Sequence, residues 1–276
     1  MTTTRAGGLM TTVQIGDITV AYAEAGSGES DSTPIILVHG LAEDSRSWAD
    51  TQQELAEFHT FAYDLRGHGS TTPGNGEGSL EQLGRDLIGF IEQVTGPAIV
   101  VGFSLGGTIA LWAAAERPDL VTRPIVLGTS SVVGRSATEF YAHRIGQASD
   151  TSTSEFREAI RDDTAAAIVA AHDRLDEITE IRLDAIGAGA GYINAARAMA
   201  ALRENPLTPR LAEVRQHVEV IGADGDTFCP EKAARMIIDA LGDVTYREVP
   251  NAGHLMNVDN PAAVATVLRA AIRGDE

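Results

Sequence analysis

Short runs of consecutive apolar residues alternate along this chain with longer stretches in which apolar positions recur every three or four residues. Ile35-Ile36-Leu37-Val38 is apolar at four consecutive positions, the pattern of a strand buried on both faces. Thr60–Tyr63, Pro97–Val101, Pro124–Leu127, His217–Gly222 and Val244–Val249 have the same strand-like character. Between them fall predicted helices from Ser79 to about Val94, over Gly107–Ala115, from near Pro230 and from about Asn260. Strands alternating with helices predict right-handed βαβ units and a parallel sheet covered by helices on both faces. Ahead of this region, Val13–Ile15 and Ile18–Tyr22 flank Gly16-Asp17, a turn pair that predicts an antiparallel hairpin. A polar loop over Gly26–Ser32 follows.

The strand signals stop between Ser130 and about Leu211. Ser154–Ile160 and the stretch from Thr164 to Ile178 read there as amphipathic helices. The expected organisation is therefore an α/β core of residues 1–129 and 212–276, interrupted by a helical cap of residues 130–211. No internal repeat or low-complexity tract is evident.

At 276 residues the chain is long enough to bury such a two-sided sheet. Its 21 basic and 39 acidic residues give a formal net charge of -18, which disfavours nucleic acid and anionic membrane surfaces as partners. The acids are scattered through helix-like segments, as solubility requires, and say little about substrate. Cys229 is the single cysteine, so an intrachain disulfide framework is excluded and a reducing cytoplasm is the expected compartment. Met1–Gly8 leads into no apolar signal core, and no window approaches a membrane span. Self-association is left open, and a homo-oligomer is allowed.

Candidate chemistry begins at Gly102-Phe103-Ser104-Leu105-Gly106, between a predicted buried strand and a helix. A sharp strand-to-helix turn strains the central serine and leaves no room for a side chain on either glycine, exposing the hydroxyl above the sheet. A helix-capping serine could occupy the same turn. A nucleophilic one also needs a base and an orienting acid, in the chain order Ser, Asp or Glu, His. His254 follows the last predicted strand, where a short loop can hold the imidazole over the sheet. The acid is Asp224 or Asp226, both after the preceding strand. Asp226 is preferred because it stands shortly before Pro230, which can open the next helix, and Asp224 suits a turn-former bonding nearby amides.

Together His39-Gly40, Asp64-Leu65-Arg66-Gly67-His68-Gly69, the serine turn, Asp226 and Gly253-His254 make the chain resemble the α/β-hydrolase fold superfamily over almost its whole length. Ser79–Leu87 and Ala252–Pro261, with weaker similarity at Gly191–Ala196, resemble the corresponding stretches of 3-oxoadipate enol-lactonases. The resemblance implies an α/β-hydrolase fold: a mostly parallel central sheet with helices on both faces and an inserted helical cap. It further implies a serine hydrolase that needs no cofactor or metal and cleaves an ester or lactone of a small carboxylic metabolite through an acyl-enzyme. Ser104 would attack, His254 act as base and Asp226 orient it, while the amides of Leu41 and Leu105 bind the oxyanion. Arg66 and His68 would brace their turn.

A serine nucleophile sets the chain apart from haloalkane dehalogenases and related epoxide hydrolases, which use aspartate. A meta-cleavage carbon–carbon hydrolase is the main rival, although Leu41-Ala42-Glu43-Asp44 replaces the glycine-proline-rich loop usual there. A non-catalytic ligand receptor, or a cofactor-free oxygenase, perhydrolase or lyase, could also use this fold. Trp48 is noted without a role, Trp112 is read as a packing residue, and His143 and His172 as cap residues with a small chance of reaching substrate. Cys229, beside the acid, is not needed as a nucleophile.

Overall fold

The apolar runs assemble into one sheet in a computed structural model that describes residues 3–5, 8–26 and 32–275. The strands are β1 (Thr3–Arg5), β2 (Gly8–Ile15), β3 (Ile18–Ala25), β4 (Ile35–Val38), β5 (Thr60–Tyr63), β6 (Ala98–Phe103), β7 (Val121–Leu127), β8 (Val218–Ala223) and β9 (Val244–Val249). Their order across the sheet is β1-β2-β3-β5-β4-β6-β7-β8-β9. Strand β2 runs antiparallel to both β1 and β3, β3 runs antiparallel to β5, and the remaining pairs are parallel. The hairpin at Gly16-Asp17 pairs Ile15 with Ile18 as expected. Strand β1 was not expected, and residues 27–31 of the anticipated loop lie outside the described residues, as do residues 1, 2, 6 and 7 of the N-terminal stretch.

Helices α1 (Ala49–Glu54), α2 (Leu80–Phe90) and α3 (Leu105–Glu116) connect the first parallel strands. Helices α4 (Arg135–Gln147), α5 (Ser154–Ala167), α6 (Leu175–Ile186) and α7 (Ala190–Ala201) form the insertion between β7 and β8. Helices α8 (Glu231–Ile238), α9 (Met256–Asp259) and α10 (Pro261–Arg273) complete the core. Among the described residues no helix is long and apolar enough to cross a membrane.

Strand β4 shows why its residues are apolar without alternation. Ile36 and Val38 join one core with Leu83, Leu87, Ile109 and Leu111, and Ile35 and Leu37 join another with Trp48, Leu55 and Leu268. Each such fully buried aliphatic side chain contributes about 1.5–3 kcal/mol. A third, smaller cluster joins Phe156, Ile160, Ile186 and Tyr192 of the insertion to Ala42 of the core.

Helix starts follow their capping chemistry. The Ser79 hydroxyl accepts the Gln82 amide before α2, and the Asn260 side chain accepts the Ala263 amide before α10. Helix α2 passes after Phe90 into a wider helical turn over Ile91–Thr95, so the helical path reaches the expected end near Val94 and closes at Gly96, whose amide bonds the Ile91 carbonyl at 2.8 Å.

The expected helix from Thr164 to Ile178 is corrected. Helix α5 ends at Ala167, Ile168 is extended, and α6 begins at Leu175. Asp259, about ninety residues away, causes the break by accepting the amides of Val169, Ala170 and Ala171 at 2.7–2.8 Å. Helical continuation would turn those N–H groups back to their own chain.

Candidate active site

The segments after β4, β6, β8 and β9 converge at the carboxyl edge of the parallel strands, where open α/β sheets place their ligand crevices. Ser104 stands between β6 and α3 with φ 52° and ψ -115°, a left-handed conformation that costs a serine about 1–3 kcal/mol. Its amide is held by the Leu127 carbonyl at 2.8 Å. A Cβ on Gly102 would run into the Gly106 carbonyl, and one on Gly106 into the carbonyls of Val38 and His39. Both glycines are therefore required by close backbone approach.

His254 is buried, with Nε2 3.1 Å from the Ser104 hydroxyl and Nδ1 2.9 and 3.1 Å from the two Asp226 oxygens. The rings of Phe103 and Phe228 lie 5.0 and 5.3 Å from the imidazole centroid. Asp226 also accepts the amides of Phe228 and Cys229 at 2.9 and 2.8 Å. Burial pushes the Asp226 carboxyl up, but the donors from His254, Cys229 and Phe228 together outweigh it and hold it below the usual carboxylate range. An ionised Asp226 can only accept, so Nδ1 carries a proton and Nε2 is left to accept the serine hydroxyl.

Asp224 lies apart from the imidazole. Its exposed carboxylate accepts the amides of Asn251 at 2.9 Å and Ala252 at 3.2 Å, tying down the loop that carries His254. Asp224 thus sits in a turn and bonds nearby amides as expected, and the two main donors are 27 and 28 residues further along the chain.

The same loop has a second tether in Asp259, which accepts the Gly253 amide at 2.7 Å in addition to the three insertion amides. The Leu255 amide bonds the Ala167 carbonyl at 2.9 Å. One buried carboxylate thus joins the His254 loop to the end of α5.

Leu41 borders the Ser104 cavity, and Leu105 begins α3, where first-turn amides have no acceptor within the helix. The turn before Leu41 is held by Glu43, which accepts the Gly40 amide at 3.0 Å, and the adjoining Ala42 has φ 64°. Burial pushes the Glu43 carboxyl up.

The remaining candidates fall outside this arrangement. His39 accepts the Leu65 amide at Nε2 and donates from Nδ1 to the Gly40 carbonyl, so both nitrogens are engaged. Arg66 makes two 2.8 Å bonds to Asp86 and pairs with Asp17, and His68 is buried beside His39. These groups brace the 64–69 turn. Neither His143 nor His172 borders the cavity. The Cys229 thiol lies 3.2 Å from the Ser130 hydroxyl, and burial pushes it up to about 12.

The cavity above Ser104 measures about 70 Å³. Core residues Leu41, Phe103 and His254 form its floor, and Tyr141, Asp163, Arg182 and Tyr192 reach it from the insertion. A larger groove of about 430 Å³, near Trp112 and Arg210, contains neither Ser104 nor His254. Sequence reading did not single out Tyr141, Asp163 or Arg182, because one polar position on an amphipathic helix resembles the next until the helices are packed.

Burial lowers the Arg182 guanidinium from its usual value against the opposing pull of Glu43, Asp163 and Tyr192. Asp163 is paired with Arg144 through bonds of 2.8 and 2.7 Å. Among the described residues no group of three or more His, Cys, Asp or Glu side chains is arranged to hold a metal ion.

Comparison with known proteins bears on the family and the fold. The chain is 26% identical over 269 residues to a 3-oxoadipate enol-lactonase 2 of Acinetobacter baylyi, covering 95% of this chain and 96% of that one. It is 28% identical over 259 residues to a pimeloyl-(acyl-carrier protein) methyl ester esterase of Aromatoleum aromaticum, covering 87% and 98%. The solved enol-lactonase of Burkholderia xenovorans shares the fold with a TM-score of 0.82 at 21% identity, over 95% of this chain and all of that one. A sequence profile described as the alpha/beta hydrolase family matches residues 35–267, from β4 into the last helix and across the serine turn and the His254 loop, and the chain belongs to that family.

Proposed function

We propose that this protein hydrolyses an ester or lactone of a small carboxylic compound through an acyl-serine intermediate. The observation that carries the reading is the hydrogen-bonded series from Ser104 to His254 Nε2 and from His254 Nδ1 to Asp226. As the Ser104 oxygen attacks the substrate carbonyl carbon, Nε2 accepts the serine proton, and the ionised Asp226 stabilises the resulting imidazolium. The carbonyl oxygen becomes an oxyanion facing the amides of Leu41 and Leu105, where loss of one donor typically costs about 3–4 kcal/mol. Collapse breaks the carbon–oxygen bond and returns the proton from Nε2 to the leaving oxygen. Water, deprotonated by His254, then attacks the acyl carbon and releases the acid and Ser104. No cofactor enters these steps.

The names of the two curated relatives, a lactonase and a methyl ester esterase, support this bond class. The small cavity favours a compact acyl group, and the insertion, read as a cap over residues 130–211, would select it. The lone cysteine favours a reducing cytoplasm. The test is a hydrolysis screen of lactones, aryl esters and vinylogous diketones with wild type and Ser104→Ala in parallel. The expected result is turnover of a lactone or ester that the variant loses. Diketone cleavage alone would move the assignment to carbon–carbon hydrolysis, and retained turnover in the variant would remove Ser104 as nucleophile.

A further inference from the structure

The cavity above Ser104, about 70 Å³, is far below the roughly 300–1,000 Å³ of sites that enclose a whole small ligand. An acyl group and its alcohol cannot both lie inside it, so one half of an ester must extend toward solvent. The proposed chemistry decides which half. The acyl carbon stays bonded to the Ser104 oxygen, and the alcohol departs after its oxygen takes the proton from His254 Nε2. The alcohol therefore lies beside His254, on its way out of the site.

Phe228 marks that way out. Among the described residues that border the cavity it alone is exposed, at 41%. Its ring lies 5.3 Å from the imidazole centroid and 26° from the imidazole plane. Its amide donates to Asp226 at 2.9 Å, which ties its main chain to the acid. Packing does not account for the side chain, because Phe228 belongs to none of the hydrophobic clusters of the fold. Val169, 42% exposed, stands at the same loop: a Cβ on Gly225 would run into it, and Ala167, two residues before it, borders the cavity. Two of the three exposed large apolar side chains among the described residues thus lie at this edge of the site.

We infer that Phe228 is the specificity-determining contact for the alcohol half of the substrate, so that the site takes an ester whose alcohol carries a flat aromatic ring. This rests on the reading of Ser104 as nucleophile and His254 as the group that protonates the leaving oxygen. The imidazole occupies one side of the Phe228 ring, and the exposed part is left to a second ring, which packs on it in an offset or edge-on arrangement. The compact cavity then selects the acid, and the loop between Asp226 and Pro230 selects the alcohol.

The test compares benzyl butyrate with ethyl butyrate at pH 7.5, two esters of one acid whose alcohols are similarly weak acids, in wild type, Phe228→Ala and Phe228→Tyr. Wild type is expected to favour the benzyl ester in kcat/KM. Phe228→Ala should reduce that preference at least about fivefold, and Phe228→Tyr, which keeps the ring, should retain it. A general disturbance of His254 would slow both esters alike, so a smaller change in the ratio overturns the assignment, as does the absence of a preference in wild type. If the Ala variant does not fold, Phe228→Leu keeps an apolar side chain without the ring and must lower the same ratio, and an unchanged ratio is contrary. Binding of benzyl alcohol, followed by ligand-observed nuclear magnetic resonance, separates this inference from the hydrolase reading. Binding that weakens at least about fivefold in Phe228→Ala upholds the alcohol contact even if no ester is cleaved, and binding that is absent or weakens less overturns it.

Discussion

Two carboxylates stand two residues apart after β8, yet only one reaches the imidazole. Asp226 is turned inward, where His254 and two backbone amides hold it ionised, and Asp224 points to the Asn251–Ala252 backbone. Replacing Asp226 with Asn keeps the shape but lets an amide donate to Nδ1, which presents the wrong imidazole tautomer to Ser104. Asp226→Asn should therefore lower kcat on the order of 10,000-fold, with a folded protein by circular dichroism. Asp224→Asn removes only an exposed tether and should cost less than about tenfold. Steady-state kinetics on one ester checks both, and equal losses would reassign the acid. Ser104 and His254 were legible because each follows an apolar strand in a glycine-bearing turn. Tyr141, Asp163 and Arg182 were not, since no local pattern marks which helical positions of the insertion face the cavity, and that is set by packing.

At the scale of elements, the His254 loop is held from two sides by side chains it does not contain. Asp224 fastens Asn251 and Ala252, and Asp259 fastens Gly253 while capturing three amides beyond α5. Asp259→Asn removes the charge from four backbone bonds and leaves an amide that cannot accept at both ends. A loss of about 2–4 kcal/mol is expected in urea denaturation, since bonds to a charged group typically contribute about 1.5–3 kcal/mol each and the Asn oxygen retains part of them. Unaltered stability would show that the junction holds without the carboxylate. This clamp also marks where local pattern stops being informative. Strands β4, β6 and β7 were readable because four-residue apolar runs have one economical solution, burial on both faces, whereas β1 was not expected. The break between Ala167 and Leu175 was invisible because the cause is a residue near the far end of the chain. Helix α4 has no buried residue and little periodicity to betray it.

Across the whole molecule, the buried titratable groups set how the fold responds to acid. His39 and His68 lie with ring centroids 5.4 Å apart, and burial lowers them to about 3 and about 4. An unfolded histidine titrates near 6.5, so between about pH 6.5 and pH 4 the unfolded chain gains roughly two protons that the folded protein refuses. Their contribution is full above that range and is lost as pH falls. Asp64 works oppositely: burial, followed by the like charge of Asp44, raises it to about 6, so acid favours its folded form. Glu43 and Asp86, also raised by burial, act in the same sense as Asp64. The histidine contribution is therefore read by difference: in urea denaturation, the stability of wild type relative to His68→Gln should fall by up to about 1.4 kcal/mol per pH unit between about pH 6.5 and pH 4. A difference between the two proteins that does not change with pH would contradict this account. The central claim, that the folded protein presents an activated Ser104, is tested most directly by a fluorophosphonate, whose phosphorus bonds a nucleophilic serine oxygen as fluoride departs. Peptide mass spectrometry should find the label on Ser104 in wild type, with labelling strongly slowed in folded His254→Ala. An unlabelled Ser104, or a variant labelled at the wild-type rate, would contradict the account.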